Sequence, residues 1–139
     1  MNEKIVIIGA GKTGRGFLAR LLTEENREFV LIDEKEELIR KIKKGYEVAY
    51  FNGSKTIKII PKDCVGTKEE KAFEYIAKAD IIFTAVGIDR LEEAGKFLNG
   101  RTKENVNIFL CENGDGAIEK FKRGYEKNEK TGLIPAAVF

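Results

Sequence analysis

The feature that most constrains this chain is an alternation. Four short apolar runs, KIVII (Lys4 to Ile8), FVLI (Phe29 to Ile32), DIIFTAV (Asp80 to Val86) and NIFLC (Asn107 to Cys111), are separated by stretches with helical spacing. Such short runs, with no polar residue alternating through them, match strands buried on both faces of a parallel sheet. The stretches between carry apolar stripes: Phe17, Leu18, Leu21 and Leu22; Ala72, Phe73, Ile76 and Ala77; Leu91, Ala94 and Leu98. Ala117, Ile118 and Phe121 repeat the pattern after the last run. Parallel strands require crossovers, and right-handed βα repeats lay helices on both faces of an open sheet. The expected class is α/β, with a doubly wound, mostly parallel sheet.

One segment breaks the alternation. In YEVAYFNGSKTIKII, Tyr46, Val48 and Tyr50 share one face, Asn52-Gly53 is a turn signal, and Ile57 and Ile59 share a face on the way back. The period and turn chemistry predict an inserted β-hairpin. With 139 residues and no low-complexity linker, residues 1–139 are read as one domain.

The loop after the first run decides what the sheet is for. In GAGKTGRG, the Gly11-Lys12-Thr13 core imitates the end of a nucleoside-triphosphate loop. That loop requires a glycine five residues before the Gly-Lys-Thr, and Val6 stands there, inside the strand. The spacing of Gly9, Gly11 and Gly14 instead fits the dinucleotide pattern. Gly9 permits the tight turn, Gly11 the approach of a pyrophosphate, and Gly14 close helix-strand packing. The helix opening at Lys12 and Thr13 aims its N-H groups at that pyrophosphate. A glycine loop serving only a turn is the plainer alternative.

Asp33 ends the second run, roughly 20 residues past Gly14, where an acidic side chain accepts hydrogen bonds from an adenosine ribose and repels a 2′-phosphate. It points to NAD as cofactor, although capping of the helix that follows is a role it can fill as well. TAVG (Thr84, Ala85, Val86, Gly87) and CENG (Cys111 to Gly114) end the third and fourth runs on the same edge. TAVG is small enough for a cofactor to lie against its backbone, and Glu112 and Asn113 put polar groups near the nicotinamide end. An ordinary strand-to-helix turn with an asparagine cap explains CENG equally well.

The rest of the composition excludes chemistry. With no histidine and two cysteines, Cys64 and Cys111, there is no zinc cluster and no histidine-based triad, so no metal site is expected. Basic RKIKKG lies close to acidic DEKEE and the net charge is only +2, which argues against nucleic-acid or membrane-surface binding. The opening MNEKIVIIG reaches an apolar run too soon for a secretory leader, so the cytoplasm is the expected compartment.

GAGKTGRGFLARLL, the hairpin, TAVG and CENG occur in an order that resembles the N-terminal Rossmann domain of the mannitol dehydrogenase family. The most specific parts are Gly14-Arg15-Gly16-Phe17 and Cys111-Glu112-Asn113. The resemblance implies a Rossmann-like fold in which Gly9 to Gly14 and Asp33 bind NAD, Thr84 to Gly87 line its path, and Asn113 approaches nicotinamide and substrate. GLIPAAVF (Gly132 to Phe139) resembles the strand leading to the family's substrate domain. That domain carries the family's catalytic lysine, so no catalytic residue is expected within this chain and turnover requires further chain or a partner. The alternative is a stand-alone NAD-sensing module like the regulatory domains of potassium channels and transporters.

Overall fold

The computed structural model describes residues 3–136. Along the chain come β1 (Ile5–Ile8), α1 (Ala19–Glu24), β2 (Val30–Asp33), α2 (Glu36–Ile42), β3 (Tyr46–Tyr50), β4 (Lys55–Ile59), β5 (Asp63–Gly66) and α3 (Glu70–Lys78). There follow β6 (Ile81–Thr84), α4 (Leu91–Leu98), β7 (Asn107–Leu110), α5 (Ala117–Lys122) and β8 (Gly132–Pro135). A π-wound stretch, Lys12–Leu18, leads into α1, and a 3-10 turn, Ile88–Arg90, leads into α4.

Six strands form one sheet in the order β5-β2-β1-β6-β7-β8, and β3-β4 forms a separate antiparallel pair. The sheet is parallel in every pairing, with Val6 opposite Val30 on one side of β1 and Ile82 on the other. Strand order reverses between β1 and β6. In open α/β sheets that reversal leaves a crevice outside the carboxyl ends of the strands.

Within β1, Val6 and Ile8 face a core closed by Ala72, Ile76, Leu91, Leu98 and Phe121 of α3, α4 and α5. Ile5 and Ile7 face the other way, toward Leu18, Ala19, Ile39 and Ile42. Both sets are buried, which is why the strand reads as an unbroken apolar run. Each such side chain contributes roughly 1.5–3 kcal/mol. The hairpin covers the second face instead of extending the sheet: Ile59 is fully buried there, with Tyr46, Val48 and Ile57 against the same cluster.

The structure corrects the sequence reading in three places. One strand, β5, joins those expected; it starts on Asp63 and buries only Cys64, Val65 and Gly66. Leu21 is 40% exposed, because Leu18, Ala19 and Leu22 form the inner face after the π-wound stretch. Ala77 is exposed as well, the inner face of α3 running through Ala72 and Ile76 toward Ala79. Of GLIPAAVF, Gly132–Pro135 is β8, while residues 137–139 lie outside the described residues.

Candidate dinucleotide-binding site

The three glycines of the loop differ in what holds them. Gly9 has φ +106, and a Cβ there would lie 2.3 Å from the Ala85 carbonyl oxygen. Its N-H donates to the Ile32 carbonyl at 2.8 Å. A Cβ on Gly14 would lie 1.8 Å from the Gly9 carbonyl oxygen. These two positions are glycine because backbones of the loop, the helix and the β6 exit touch. Gly11 is different: φ is −77 and ψ −164, and no protein atom lies within 4 Å of a Cβ built on it. Neither strain nor packing calls for glycine there, whereas the close approach of a bound group does. The helix that starts at Lys12 has no side-chain cap on Gly11, leaving the first N-H donors of Lys12 and Thr13 without an intrahelical acceptor.

Asp33 closes the loop from the neighbouring strand. Its Oδ2 accepts the Ala10 N-H at 2.8 Å, and its Oδ1 accepts the Lys35 N-H at 2.8 Å, at the start of α2. The second bond closes a turn ahead of α2, whose N-cap is Lys35 with no side-chain cap, so the capping role is not taken up. A carboxylate has about four acceptor positions, so two backbone bonds leave room for ribose hydroxyls. Arg15 donates from its guanidinium to the Ala10 carbonyl at 2.8 Å, bracing the loop from the helix side.

A cleft of about 310 Å³ opens at this edge, with Gly9, Gly11, Asp33, Ala85 and Val86 in its wall. Thr84 stands behind the wall. It is fully buried and donates its hydroxyl to Glu112 Oε2 at 3.1 Å. Glu112 also accepts the Val86 N-H at 3.0 Å and the Gly87 N-H at 2.9 Å. The expectation that Glu112 serves the nicotinamide end is thus corrected: 8% exposed, it anchors the TAVG turn, whose Gly87 has φ +98. Asn113 opens onto a neighbouring cavity of about 620 Å³, shared with Pro135 and Ala136. Its capping alternative is not realised, because the residue before α5 is Gly116, with φ +77.

Residues to which the sequence reading gave no site role complete the cleft. Glu34, past β2, and Arg90, before α4, form an ion pair of 2.6 Å, and Arg90 also meets Glu93 at 3.5 Å. Thr67, Ala94 and Phe97 line the same cleft. The one available signal was that Arg90 follows TAVG on the ligand edge.

Elsewhere the cysteines are inert. Burial pushes the Cys64 thiol up to about 12 and the Cys111 thiol up to about 11, the charge of neighbouring Asp63 and Glu112 adding to each. Neither is a nucleophile at neutral pH. Among the described residues no cluster of three or more histidine, cysteine or acidic side chains is arranged to hold a metal ion. No described helix is long and apolar enough to cross a membrane.

Comparison with known proteins agrees with this geometry. The family model of the mannitol dehydrogenase Rossmann domain matches residues 3–131. The chain belongs to that family. Mannitol-1-phosphate 5-dehydrogenase of Aspergillus fumigatus is 32% identical over 139 residues, covering 92% of this chain and 36% of the relative. The enzyme of the same name from Shouchella clausii is 31% identical over 150 residues, covering 98% of this chain and 40% of the relative. This mannitol dehydrogenase Rossmann domain thus spans well under half the length of these curated relatives. Among solved structures, D-mandelate dehydrogenase with NADH and anilino(oxo)acetate superposes with a TM-score of 0.72 at 25% identity, covering 94% of this chain and 39% of that one. A ketopantoate reductase from Ralstonia eutropha superposes at 0.71 with 14% identity over 94% of this chain and 39% of that one, a likeness of fold. Membership of the family implies a nicotinamide dinucleotide cofactor, and the open space at Gly11 beside Asp33 fits one.

Proposed function

We propose that this chain is the NAD-binding domain of a cytoplasmic polyol dehydrogenase acting on mannitol 1-phosphate or a related polyol. The observation that carries the reading is the contrast within the glycine loop. Gly9 and Gly14 are explained by the protein itself; Gly11 is explained by a bound pyrophosphate, one hydrogen bond away from the carboxylate of Asp33 through Ala10. On this reading Gly9, Gly11, Lys12, Thr13 and Gly14 cradle the pyrophosphate, Asp33 takes the ribose, and Ala85 and Val86 lie along the cofactor. Thr84 and Gly87 keep that turn in shape, and Asn113 faces the nicotinamide end.

Bound NAD supplies the acceptor for hydride transfer. What the chain contributes is binding and orientation. Oxidation of an alcohol also requires a base within hydrogen-bond reach of the hydroxyl. The chain has no histidine, and Lys12 belongs to the pyrophosphate loop. We therefore read residues 1–139 as the cofactor half, with the proton-accepting group on a substrate domain supplied by further chain or a partner.

The test is a calorimetric titration of NAD and NADP against the unmodified protein and Asp33→Ala. A 2′-phosphate beside Asp33 costs about 1–4 kcal/mol of like-charge repulsion, so NADP is expected to bind at least about fivefold more weakly than NAD. In Asp33→Ala, NAD affinity is expected to fall and the gap between the cofactors to narrow. NADP binding equal to or tighter than NAD by the unmodified protein would contradict the assignment.

A further inference from the structure

The dinucleotide reading places a pyrophosphate and a ribose but leaves the purine without a partner. With the pyrophosphate at Gly11 and the ribose at Asp33, the base has one direction left, into the part of the cleft between the exit of β2 and the start of α4. Thr67, Ala94 and Phe97 line the same cleft, small or apolar groups suited to a flat ring. The cleft is also lined by Arg90, whose guanidinium joins Glu34, past β2, at 2.6 Å and Glu93, on the helix it leads into, at 3.5 Å.

The pair is half-exposed on both sides, 50% for Arg90 and 54% for Glu34. Exposed pairs of this kind contribute little to stability, so the fold does not account for a contact joining two segments this far apart in sequence. Placement accounts for it. Arg90 ends the turn that Glu112 fixes through Val86 and Gly87, so its backbone is set by a buried carboxylate and its side chain is aimed by two exposed ones. A planar guanidinium parallel to a purine gains both stacking and cation-π attraction, which an ammonium on a flexible stem does not reproduce.

We infer that Arg90 covers the adenine ring of the bound dinucleotide, with Glu34 as its positioning residue. The inference rests on the dinucleotide reading and adds the recognition of the base. The ion pair parts as the ring enters, at small cost because both groups are half in water, and the guanidinium settles on the ring face while Glu34 keeps its outer edge.

Calorimetric titration with NAD, ADP-ribose and nicotinamide mononucleotide separates the possibilities. Arg90→Ala is expected to weaken NAD and ADP-ribose by the same factor, about tenfold, with no change for the mononucleotide, which lacks the purine. Arg90→Lys is expected to stay close to Arg90→Ala. Glu34→Gln is expected to weaken ADP-ribose by about threefold in the unmodified background and to have no effect once Arg90 is alanine. Both residues of this cycle carry exposed side chains, and circular dichroism checks that each variant is folded. An ADP-ribose affinity unmoved by Arg90→Ala, or fully restored by Arg90→Lys, would overturn the inference while leaving dinucleotide binding intact. Failure of the unmodified protein to bind either NAD or ADP-ribose would overturn the dinucleotide reading and this inference together.

Discussion

At the scale of single residues, the loop after β1 separates structural demands from ligand demands, and the separation is measurable. Gly9→Ala adds a methyl at positive φ and 2.3 Å from a carbonyl oxygen, and Gly14→Ala adds one 1.8 Å from another. Each is expected to cost about 2–4 kcal/mol of stability in denaturant unfolding, the range for strain at a special backbone position combined with overpacking. Gly11→Ala meets open space at an ordinary φ, so its stability is expected to stay within about 0.5 kcal/mol of the unmodified protein while dinucleotide affinity falls. A destabilised Gly11→Ala would remove the argument for a ligand there. Gly9, Gly11, Gly14 and Asp33 were legible because the motif is local, a strand exit and a helix start with fixed spacing. Glu112, Glu34 and Arg90 were not. Their partners lie on other segments of the chain, and a contact made by tertiary approach leaves no period or spacing to read.

Among the elements, the strands that announced themselves are those buried on both faces, β1, β2, β6 and β7. The fifth strand stayed hidden because Asp63-Cys64-Val65-Gly66 is too short and too polar at its start to stand out as an apolar run, although its pairing with β2 buries three of its four residues. The π winding of Lys12–Leu18 is likewise absent from the apolar pattern, and it displaced Leu21 from the inner face. The hairpin was legible from its period and its Asn52-Gly53 turn. Its docking was not. Tyr46 donates its hydroxyl to the Arg15 carbonyl at 2.7 Å, and Arg20 lies 4.5 Å from the Tyr50 ring centre, tying the hairpin to the helix that follows the glycine loop. Burial drives the Tyr46 hydroxyl well above its usual range, so it remains a donor at any working pH. Tyr46→Phe is expected to cost about 1 kcal/mol in thermal or denaturant unfolding, the value of one part-buried hydrogen bond. No measurable loss would mean that the hairpin is held by its apolar face alone.

For the whole molecule, reversal of strand order between β1 and β6 puts the exits of β1, β2 and β6 around one cleft, and everything proposed for this chain depends on that edge. The opposite edge carries its own charged groups, among them Asp80, whose carboxyl is held below its usual range chiefly by the Lys103 ammonium and also by the Lys4 N-H. A depressed carboxyl contributes stability above its unfolded value, lost as pH falls through the folded one, so this pair's contribution is present at neutral pH and disappears in acid, away from the cleft. The central claim is that a nicotinamide dinucleotide occupies the carboxyl edge. Its most direct measurement is backbone-amide NMR of the folded chain during titration with NAD. Shifts are expected to concentrate at Gly9, Gly11, Lys12, Thr13, Asp33, Lys35, Ala85 and Val86, with the amides of Lys4, Asp80 and Lys103 unmoved. Shifts centred on those amino-edge residues, or none at saturating NAD, would contradict it.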